Sequence, residues 1–278
     1  MSSIDKTYSA LIQAGAALLT RSNTPLLDAR VLMMAAARMD HPALIASGLD
    51  PVPPLVAHTF EKLIDRRVQG VPVAHLTGRQ EFYGRTFKVT EETLIPRPET
   101  EMLVEAAVKL PVAPGRILDL GTGTGCLIVS LLCEFRDAAG VGVELSPFAA
   151  AVTRENAALL GCLSRLETVE GDFSLAPEGP FDLIVSNPPY IEEDAALPRS
   201  VADYEPAGAL FAGPEGLDAY HVLAPLIAER LASGGAAFLE IGTGQGDAVS
   251  SLMKTAMPER EVTVHKDLAG HERMVAVH

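Results

Sequence analysis

A short polar motif, Asn187-Pro188-Pro189-Tyr190, follows the apolar run at residues 181–185. The two prolines fix the local backbone and lack N–H donors, so the motif offers carbonyl acceptors. The Asn187 side chain can both donate and accept hydrogen bonds, and Tyr190 has a flat ring with a polar tip. These groups suit a planar amide or amidine nitrogen, whose hydrogens need acceptors while one face meets an electrophile.

A second chemical signal is the glycine-rich turn Gly121-Thr122-Gly123-Thr124-Gly125, which follows a strand-like run. Glycines are needed where the backbone bends sharply and where a ligand approaches the main chain. The spacing differs from the dinucleotide pattern Gly-x-Gly-x-x-Gly, and no Lys-Ser/Thr follows as in a phosphate loop. Glu144 ends the next strand-like run, where a carboxylate can accept hydrogen bonds from ribose hydroxyls. Together these features predict a nucleotide-like ligand.

Strands that alternate with helices surround both signals. Strand-like runs lie at residues 116–120, 141–144, 166–169, 181–185 and 236–240, and helix-like stretches at 99–110, 124–135, 147–160 and 219–231. Such alternation predicts a parallel sheet covered on both faces. Residues 261–264 and 273–277 predict a terminal antiparallel hairpin. Open parallel sheets bind ligands beyond the carboxyl ends of their strands, and we therefore expect the polar motif opposite the glycine turn.

The first part of the chain differs from the rest in pattern and charge. Apolar residues recur at helical spacing in residues 8–19, 26–34 and 55–68. Residues 1–80 carry 8 basic and 6 acidic side chains, a net charge of +2 that leaves −16 for the remainder. Aromatic and β-branched residues around Gly84 predict a hairpin. We therefore predict a helical domain at 1–80, a hairpin linker at 81–98 and a larger domain at 99–278.

Composition excludes several classes of protein. The 278 residues include 36 acidic and 22 basic side chains, a net charge of −14 that disfavours extended binding to nucleic acid. Three cysteines without a Cys-x-x-Cys pair predict neither a disulfide framework nor a zinc site, and the seven histidines lack metal-ligand spacing. Asp5 stands where an export signal would be basic, and no apolar stretch reaches the roughly 18–20 residues that cross a bilayer. We expect a reduced, soluble, cytoplasmic protein without a metal or a membrane partner.

The glycine turn, the acidic Glu144 and the Asn-Pro-Pro-Tyr motif together resemble the amino-methyltransferases that use S-adenosylmethionine. Within them, the chain resembles the release factor glutamine methyltransferases (the HemK/PrmC family) over roughly residues 8–278. The Thr-Leu-Ile-Pro-Arg-Pro-Glu-Thr-Glu segment at 93–101 is the most specific match. Further matches lie at residues 76–78 and 81–83, 204–206 and 209–210, 239–242 and 267–270.

The resemblance implies a Rossmann-like, mostly parallel sheet with an antiparallel terminal strand, and a helical N-terminal domain that docks a protein substrate. It places S-adenosylmethionine over residues 121–125, with Glu144 on the ribose where the family usually has Asp. Asp172 is expected to accept from the adenine amino group. The family usually has Asp-Trp-Phe where this chain has Asp172-Phe173-Ser174, so Phe173 either stacks on the adenine or merely packs. Asn187 is expected to contact cofactor and substrate alike.

The implied reaction methylates the side-chain amide nitrogen (N5) of the glutamine in the Gly-Gly-Gln motif of bacterial peptide chain release factors. Asn187, Pro188, Pro189 and Tyr190 would be the catalytic residues, and S-adenosylhomocysteine the product. An alternative is N6-adenine methylation of DNA, because those enzymes share Asn-Pro-Pro-Tyr. The charge of −14 and the lack of a basic recognition domain favour the protein substrate, without DNA as a partner, and a monomer is expected. A nucleotide-binding module without catalysis would leave the polar motif without a purpose.

Overall fold

The computed structural model describes residues 7–278, which form two compact units. One unit holds the described residues up to Gly78 together with Pro198–Tyr204, and the other holds Arg79–Leu197 and Glu205–His278. The expectation that rests on Asp5 lies outside the described residues. Among residues 7–278, no helix is long and apolar enough to span a membrane.

The first unit is helical. Its helices are α1 (Tyr8–Leu18), α2 (Pro25–Ala37), α3 (His41–Ala46), α4 (Pro54–Val68), α5 (Val73–Thr77) and, later in the chain, α9 (Arg199–Ala202). The side chain of Thr7 caps α1 and that of Asp40 caps α3, and prolines stand in the first turns of α2 and α4. Apolar side chains from α1, α2 and α4, such as Leu32, Phe60 and Ile64, form the core of this unit.

A two-stranded hairpin opens the second unit. Its strands are β1 (Arg79–Phe82) and β2 (Arg85–Lys88), and the residues between them have the positive φ angles of a tight hairpin turn. Phe82 and Phe87 pack edge to face with ring centroids 6.0 Å apart, and both are buried in the core of this unit. The hairpin predicted within a linker at 81–98 is therefore part of the second unit.

A seven-stranded sheet forms the centre of the second unit. Its strands are β3 (Arg116–Leu120), β4 (Ala139–Glu144), β5 (Leu166–Glu170), β6 (Phe181–Ser186), β7 (Leu231–Glu240), β8 (Val262–Lys266) and β9 (Glu272–Val277). They lie in the order β5-β4-β3-β6-β7-β9-β8, and β9 is antiparallel to both of its neighbours. The Rossmann-like, mostly parallel fold predicted from the sequence is confirmed.

Helices cover both faces of this sheet. They are α6 (Glu101–Val108), α7 (Cys126–Glu134), α8 (Pro147–Leu159), α10 (Asp218–Arg230) and α11 (Gly246–Ala256). Successive strand residues enter opposite cores: Ile117 packs in the core that includes α6 and α7, and Leu118 in the core that includes α10 and α11. Apolar runs in the sequence are buried strands because both faces are covered.

The strand order creates one topological switch point. From β3 the chain builds outward to β4 and β5 on one side and then crosses to β6 on the other side of β3. The connections after β3 and β6 therefore diverge and leave a crevice at the carboxyl ends of these strands. The glycine turn follows Leu120, and Asn187 follows Ser186, so the fold brings both predicted signals to this crevice.

Candidate active site

Hydrogen bonds to the end of β4 hold the glycine turn against the sheet. Gly121, Gly123 and Gly125 have φ angles of +81°, +56° and +79°, which residues other than glycine rarely adopt. The N–H groups of Gly121 and Thr122 donate to the Val143 carbonyl at 2.9 and 3.1 Å. A Cβ atom at Gly123 would have no other heavy atom within 4 Å. The turn is thus hydrogen-bonded to the sheet on one side, and the space next to Gly123 on the other side is open.

Glu144 clamps this turn. Its Oε2 accepts from the Gly123 N–H at 2.8 Å, and its Oε1 accepts from the Ser146 N–H at 2.9 Å. A carboxylate has about four lone-pair positions, so both oxygens can still accept from hydroxyl groups. The longer side chain, compared with the Asp expected in the family, is accommodated because the carboxylate folds back onto the glycine turn.

A cavity of about 320 Å³ lies over the turn. Of the predicted site residues, those that line it are Gly121, Thr122, Gly123, Thr124, Glu144, Asp172, Phe173, Asn187 and Pro189. Gly125, Pro188 and Tyr190 are not among the described residues that line it. Gly125 lies beneath the turn, where an added Cβ would come within 2.9 Å of Thr153. Pro188 is buried and Tyr190 is half-buried.

Asp172 and Phe173 border the cavity on the side of β5. Oδ1 of Asp172 accepts from the Ser174 N–H at 2.8 Å, and hydrogen bonds with Ser174 lower the pKa of this exposed carboxyl. Asp172 therefore presents an ionised acceptor. The Phe173 ring lies against the glycine turn, with its Cε1 atom 3.7 Å from the position of a Cβ at Gly121. This half-buried ring can both pack on the turn and cover a planar ligand.

Two residues without a predicted role, Thr100 and Glu240, join the polar motif. Nδ2 of Asn187 donates to Oγ1 of Thr100 at 3.1 Å, and that hydroxyl donates to Oε2 of Glu240 at 2.5 Å. The Tyr190 hydroxyl donates to Oε1 of Glu240 at 3.2 Å. Burial raises the pKa of Glu240 to about 7 against the opposing effect of these two hydroxyl donors. The available signal was a carboxylate at the end of an apolar strand, the same signal that singled out Glu144.

Asp119 is a second buried carboxyl that the sequence left without a role. The Thr122 hydroxyl donates to its Oδ2 at 2.8 Å, while its Oδ1 is buried without a hydrogen-bond partner. Burial is the largest influence on this group and raises its pKa to about 7. Asp119 therefore fixes Thr122 at the start of the glycine turn.

Arg97 joins two of the segments that matched the family. Its Nη2 lies 2.5 Å from Oε1 of Glu205, and Oε2 of that buried carboxylate accepts from the Ile95 N–H at 3.0 Å. Residues on both sides of this ion pair, including Thr93 and Pro206, line the cavity. The pair holds the two segments together at the rim of the cavity.

Other reactive groups point to no different chemistry. Cys126 lines the cavity, but burial raises the pKa of its thiol to about 12, so it is protonated and a poor nucleophile. Within residues 7–278, no group of three or more His, Cys, Asp or Glu side chains could hold a metal ion.

Comparisons with known proteins identify the family. The PrmC N-terminal domain matches residues 10–78, and the methyltransferase small domain matches residues 98–203. A release factor glutamine methyltransferase of Cereibacter sphaeroides is 47% identical over 251 residues, which are 90% of this chain and 89% of that relative. The chain belongs to the release factor glutamine methyltransferases. The family expected from the sequence motifs is confirmed.

Other members of the release factor glutamine methyltransferases match over similar lengths. The enzyme of Bradyrhizobium diazoefficiens is 40% identical over 90% of this chain and 86% of its own length. The enzyme of Moorella thermoacetica is 42% identical over 90% of this chain and 89% of its own length. The helical unit and the sheet unit therefore both belong to the part shared with these relatives.

Solved structures of methyltransferases share the fold at low identity. A methyltransferase of Pyrococcus furiosus is 15% identical, with a TM-score of 0.53 over 70% of this chain and 89% of that chain. The catalytic domain of hMettl16 is 14% identical, with a TM-score of 0.56 over 77% of this chain and 80% of that chain. They support the assignment of the sheet to the methyltransferase fold.

Proposed function

We propose that the chain transfers a methyl group from S-adenosylmethionine to the side-chain amide nitrogen (N5) of the glutamine in the Gly-Gly-Gln motif of bacterial peptide chain release factors. The observation that carries the proposal is the position of Asn187, which borders the same cavity as the glycine turn. The relatives that match most of the chain are named release factor glutamine methyltransferases, which supports the proposal. The other product is S-adenosylhomocysteine.

The cavity fits S-adenosylmethionine, which supplies an electrophilic methyl group on a sulfonium when bound. The open side of Gly123 leaves room for a ligand to approach the main chain. Glu144 offers carboxylate oxygens to ribose hydroxyls, and Asp172 offers an acceptor to the adenine amino group. Phe173 would offer the face of its ring to the adenine when the cofactor is bound.

The target amide needs orientation more than proton removal. Its nitrogen is a poor nucleophile because the lone pair is delocalised into the carbonyl. Oδ1 of Asn187 and the carbonyl of Pro188 accept its two hydrogens, which holds the nitrogen in line with the methyl group and favours pyramidalisation. Pro189 restricts the backbone, and Tyr190 anchors the motif through Glu240. Transfer would break the bond between sulfur and methyl and leave the methylated nitrogen positively charged, and its acidic extra proton would then pass to water. No dedicated general base is therefore required.

Replacing Glu144 with alanine is expected to weaken S-adenosylmethionine binding roughly ten- to a hundredfold, because a charge-assisted hydrogen bond contributes about 1.5–3 kcal/mol. Isothermal titration calorimetry measures this affinity. Glu144→Asp keeps the carboxylate and is the matched control, with affinity within a few-fold of the wild type. Equal affinities for the wild type and Glu144→Ala would remove Glu144 from the ribose site.

Tritiated S-adenosylmethionine tests the proposed reaction directly. The chain is offered an intact release factor, the same factor with its Gly-Gly-Gln glutamine changed to alanine, and duplex DNA. Label transfer to the first substrate alone is expected. Label in the DNA would support adenine methylation instead, and label in the glutamine-free factor would place the methyl group on another residue.

We also propose that the helical unit docks the release factor away from the reacting glutamine. Residues 1–80 have a net charge of +2 against −16 for the rest, so the acidic surface lies largely outside this unit. Ile45, Leu49 and Leu55 are exposed there to 67%, 87% and 76%. Apolar side chains exposed this strongly are candidates for burial against a protein partner. Remote binding of this kind lets interface energy contribute to the chemical step.

The double variant Leu49→Glu/Leu55→Glu is expected to raise KM for the intact release factor about tenfold, because carboxylates would have to be buried at the interface. A short Gly-Gly-Gln peptide should be methylated at the wild-type rate. Leu268→Glu, at a fully exposed leucine of the other unit, is the control and should leave the methylation of both substrates unaffected. An unchanged KM for the intact factor would exclude these leucines from the docking surface.

A release-factor substrate implies a cytoplasmic enzyme. We also propose that the enzyme acts as a monomer. Sedimentation equilibrium at assay concentration measures its oligomeric state.

A further inference from the structure

A chain of hydrogen bonds leads from the Asn187 amide into the protein interior. Thr100 stands at the end of the 3₁₀ turn Pro98–Thr100 and is 1% exposed, and Glu240 ends β7 and is 2% exposed. Pairing of Ser186 with Leu239 brings the ends of β6 and β7 side by side, so Glu240 lies next to the start of the polar motif. The Tyr220 hydroxyl donates to the Glu240 carbonyl at 2.7 Å and fixes this strand end.

The number of protons available in this series of hydrogen bonds determines the direction of each bond. A threonine hydroxyl has one proton, and that of Thr100 lies in the 2.5 Å bond to Glu240, a length typical of a hydroxyl that donates to a carboxylate. Towards Asn187, the Thr100 oxygen can then only accept. The amide nitrogen is the only end of the Asn187 side chain that can donate, so it must face Thr100.

This orientation leaves Oδ1 of Asn187 as the end available to a ligand. Among the hydrogen bonds of residues 7–278, none uses this oxygen, and Asn187 lines the cavity. If the amide were reversed, its nitrogen would face the target, and two N–H donors would oppose the hydrogens of the target amide. The orientation of one side-chain amide therefore separates a productive site from an unproductive one.

We propose that Thr100 and Glu240 are positioning residues that hold the Asn187 amide with its nitrogen inward and its oxygen free for the target amide. The proposal deepens the proposed function and rests on it, because the oxygen matters only when the substrate presents N–H donors. Neither side chain needs to touch the transferred methyl group. Both act through Asn187.

The charges around Glu240 make this orientation dependent on pH. Glu99 raises the pKa of Glu240 and Arg273 of β9 lowers it, while burial, the largest influence, brings it to about 7. The neighbouring Tyr190 and Tyr220 hydroxyls and the Cys126 thiol have raised pKa values and stay protonated near neutral pH.

Protonation of Glu240 would reverse the chain of hydrogen bonds. A neutral carboxyl can donate to the Thr100 oxygen, and the Thr100 proton is then free to donate to Oδ1 of a reversed Asn187 amide. Since Glu240 is protonated below about pH 7 and ionised above it, kcat should fall as the pH is lowered through this value.

Isosteric variants of the full-length chain test the assignment. Thr100→Val removes the hydroxyl and is expected to lower kcat about tenfold or more at saturating S-adenosylmethionine, with cofactor affinity and KM for the release factor within about threefold. Thr100→Ser restores the hydroxyl and should recover most of the loss. Thr168→Val removes a buried hydroxyl that has no hydrogen-bond partner and is the control for the loss of such a group.

The pH profile supplies a readout that a merely structural role would not move. Glu240→Gln keeps an acceptor for Thr100 but cannot titrate, so the fall of kcat at low pH should disappear in this variant. Asp119 has a similar pKa, but it lies beneath the glycine turn, so its titration should change cofactor affinity and persist in Glu240→Gln. Saturating S-adenosylmethionine separates the two effects.

The outcomes are distinguishable. Full kcat in Thr100→Val, an equal loss in Thr100→Ser, or an unchanged pH profile in Glu240→Gln would overturn the positioning role, while methylation by the wild type would leave the proposed function standing. A folded wild-type chain that does not methylate the release factor would overturn the proposed function and this inference with it.

Discussion

Replacing Asn187 with alanine is expected to lower kcat about a hundredfold or more while S-adenosylmethionine affinity stays within a few-fold. In the proposed mechanism, the Asn187 oxygen is the acceptor that holds the target amide in line, and its contribution should grow as positive charge develops on the nitrogen. Single-turnover methylation of an intact release factor at saturating cofactor measures this step. Calorimetry on the same variant measures cofactor binding separately.

Asn187→Asp sharpens the interpretation of this result. It keeps an oxygen that faces the cavity but cannot donate to Thr100, whose only proton is held by Glu240. If orientation by Thr100 matters, this variant should also lose most of its turnover. A variant at Asn187 that loses cofactor binding but keeps its rate when bound would show that the residue serves the cofactor and not the target amide.

Local patterns predicted the elements that carry the site. The strand β3 coincides with the predicted run at 116–120, because a short run with three apolar residues between a segment with proline and glycine and a glycine turn has few other solutions. The glycine turn and the polar motif share one crevice because both follow strands at the switch point of a parallel sheet. Short-range signals were sufficient wherever one segment determines both its own structure and its place in the sheet.

The same local patterns could not predict long-range contacts. Thr100 and Glu240 are 140 residues apart, and their hydrogen bond depends on how β7 is aligned with β6 and on where the 3₁₀ turn lies. In the sequence, Glu240 is only the polar end of an apolar run, which is equally typical of a solvated residue. Its burial follows from the assembled sheet, and its raised pKa follows from that burial.

Local patterns also could not predict which unit each segment belongs to. Pro198–Tyr204 belongs to the helical unit although it lies within the sequence of the other one, and the Tyr204 hydroxyl donates to the Gln69 carbonyl at 3.4 Å. Hydrophobic periodicity predicts whether a segment forms a helix or a strand. It does not predict which distant part of the chain that segment packs against.

Gly123→Val is expected to reduce S-adenosylmethionine affinity about a hundredfold or more, because the branched side chain would project into the open space above the turn where we propose that the cofactor lies. It would also oppose the φ angle of +56°, which valine strongly disfavours, and so disturb the N–H group that donates to Glu144 at 2.8 Å. Equilibrium titration of the folded variant gives the affinity, and thermal unfolding gives the cost in stability.

A second glycine separates steric exclusion from backbone strain. Gly161 has a φ angle of +74° and open space around a Cβ, but it is exposed just after α8 and does not line the cavity. Gly161→Val should therefore lose stability for the same conformational reason as Gly123→Val while binding the cofactor normally. If both variants lose affinity in proportion to their loss of stability, strain alone explains the effect. If only Gly123→Val loses affinity, beyond what its loss of stability explains, the cofactor lies against the main chain of the glycine turn.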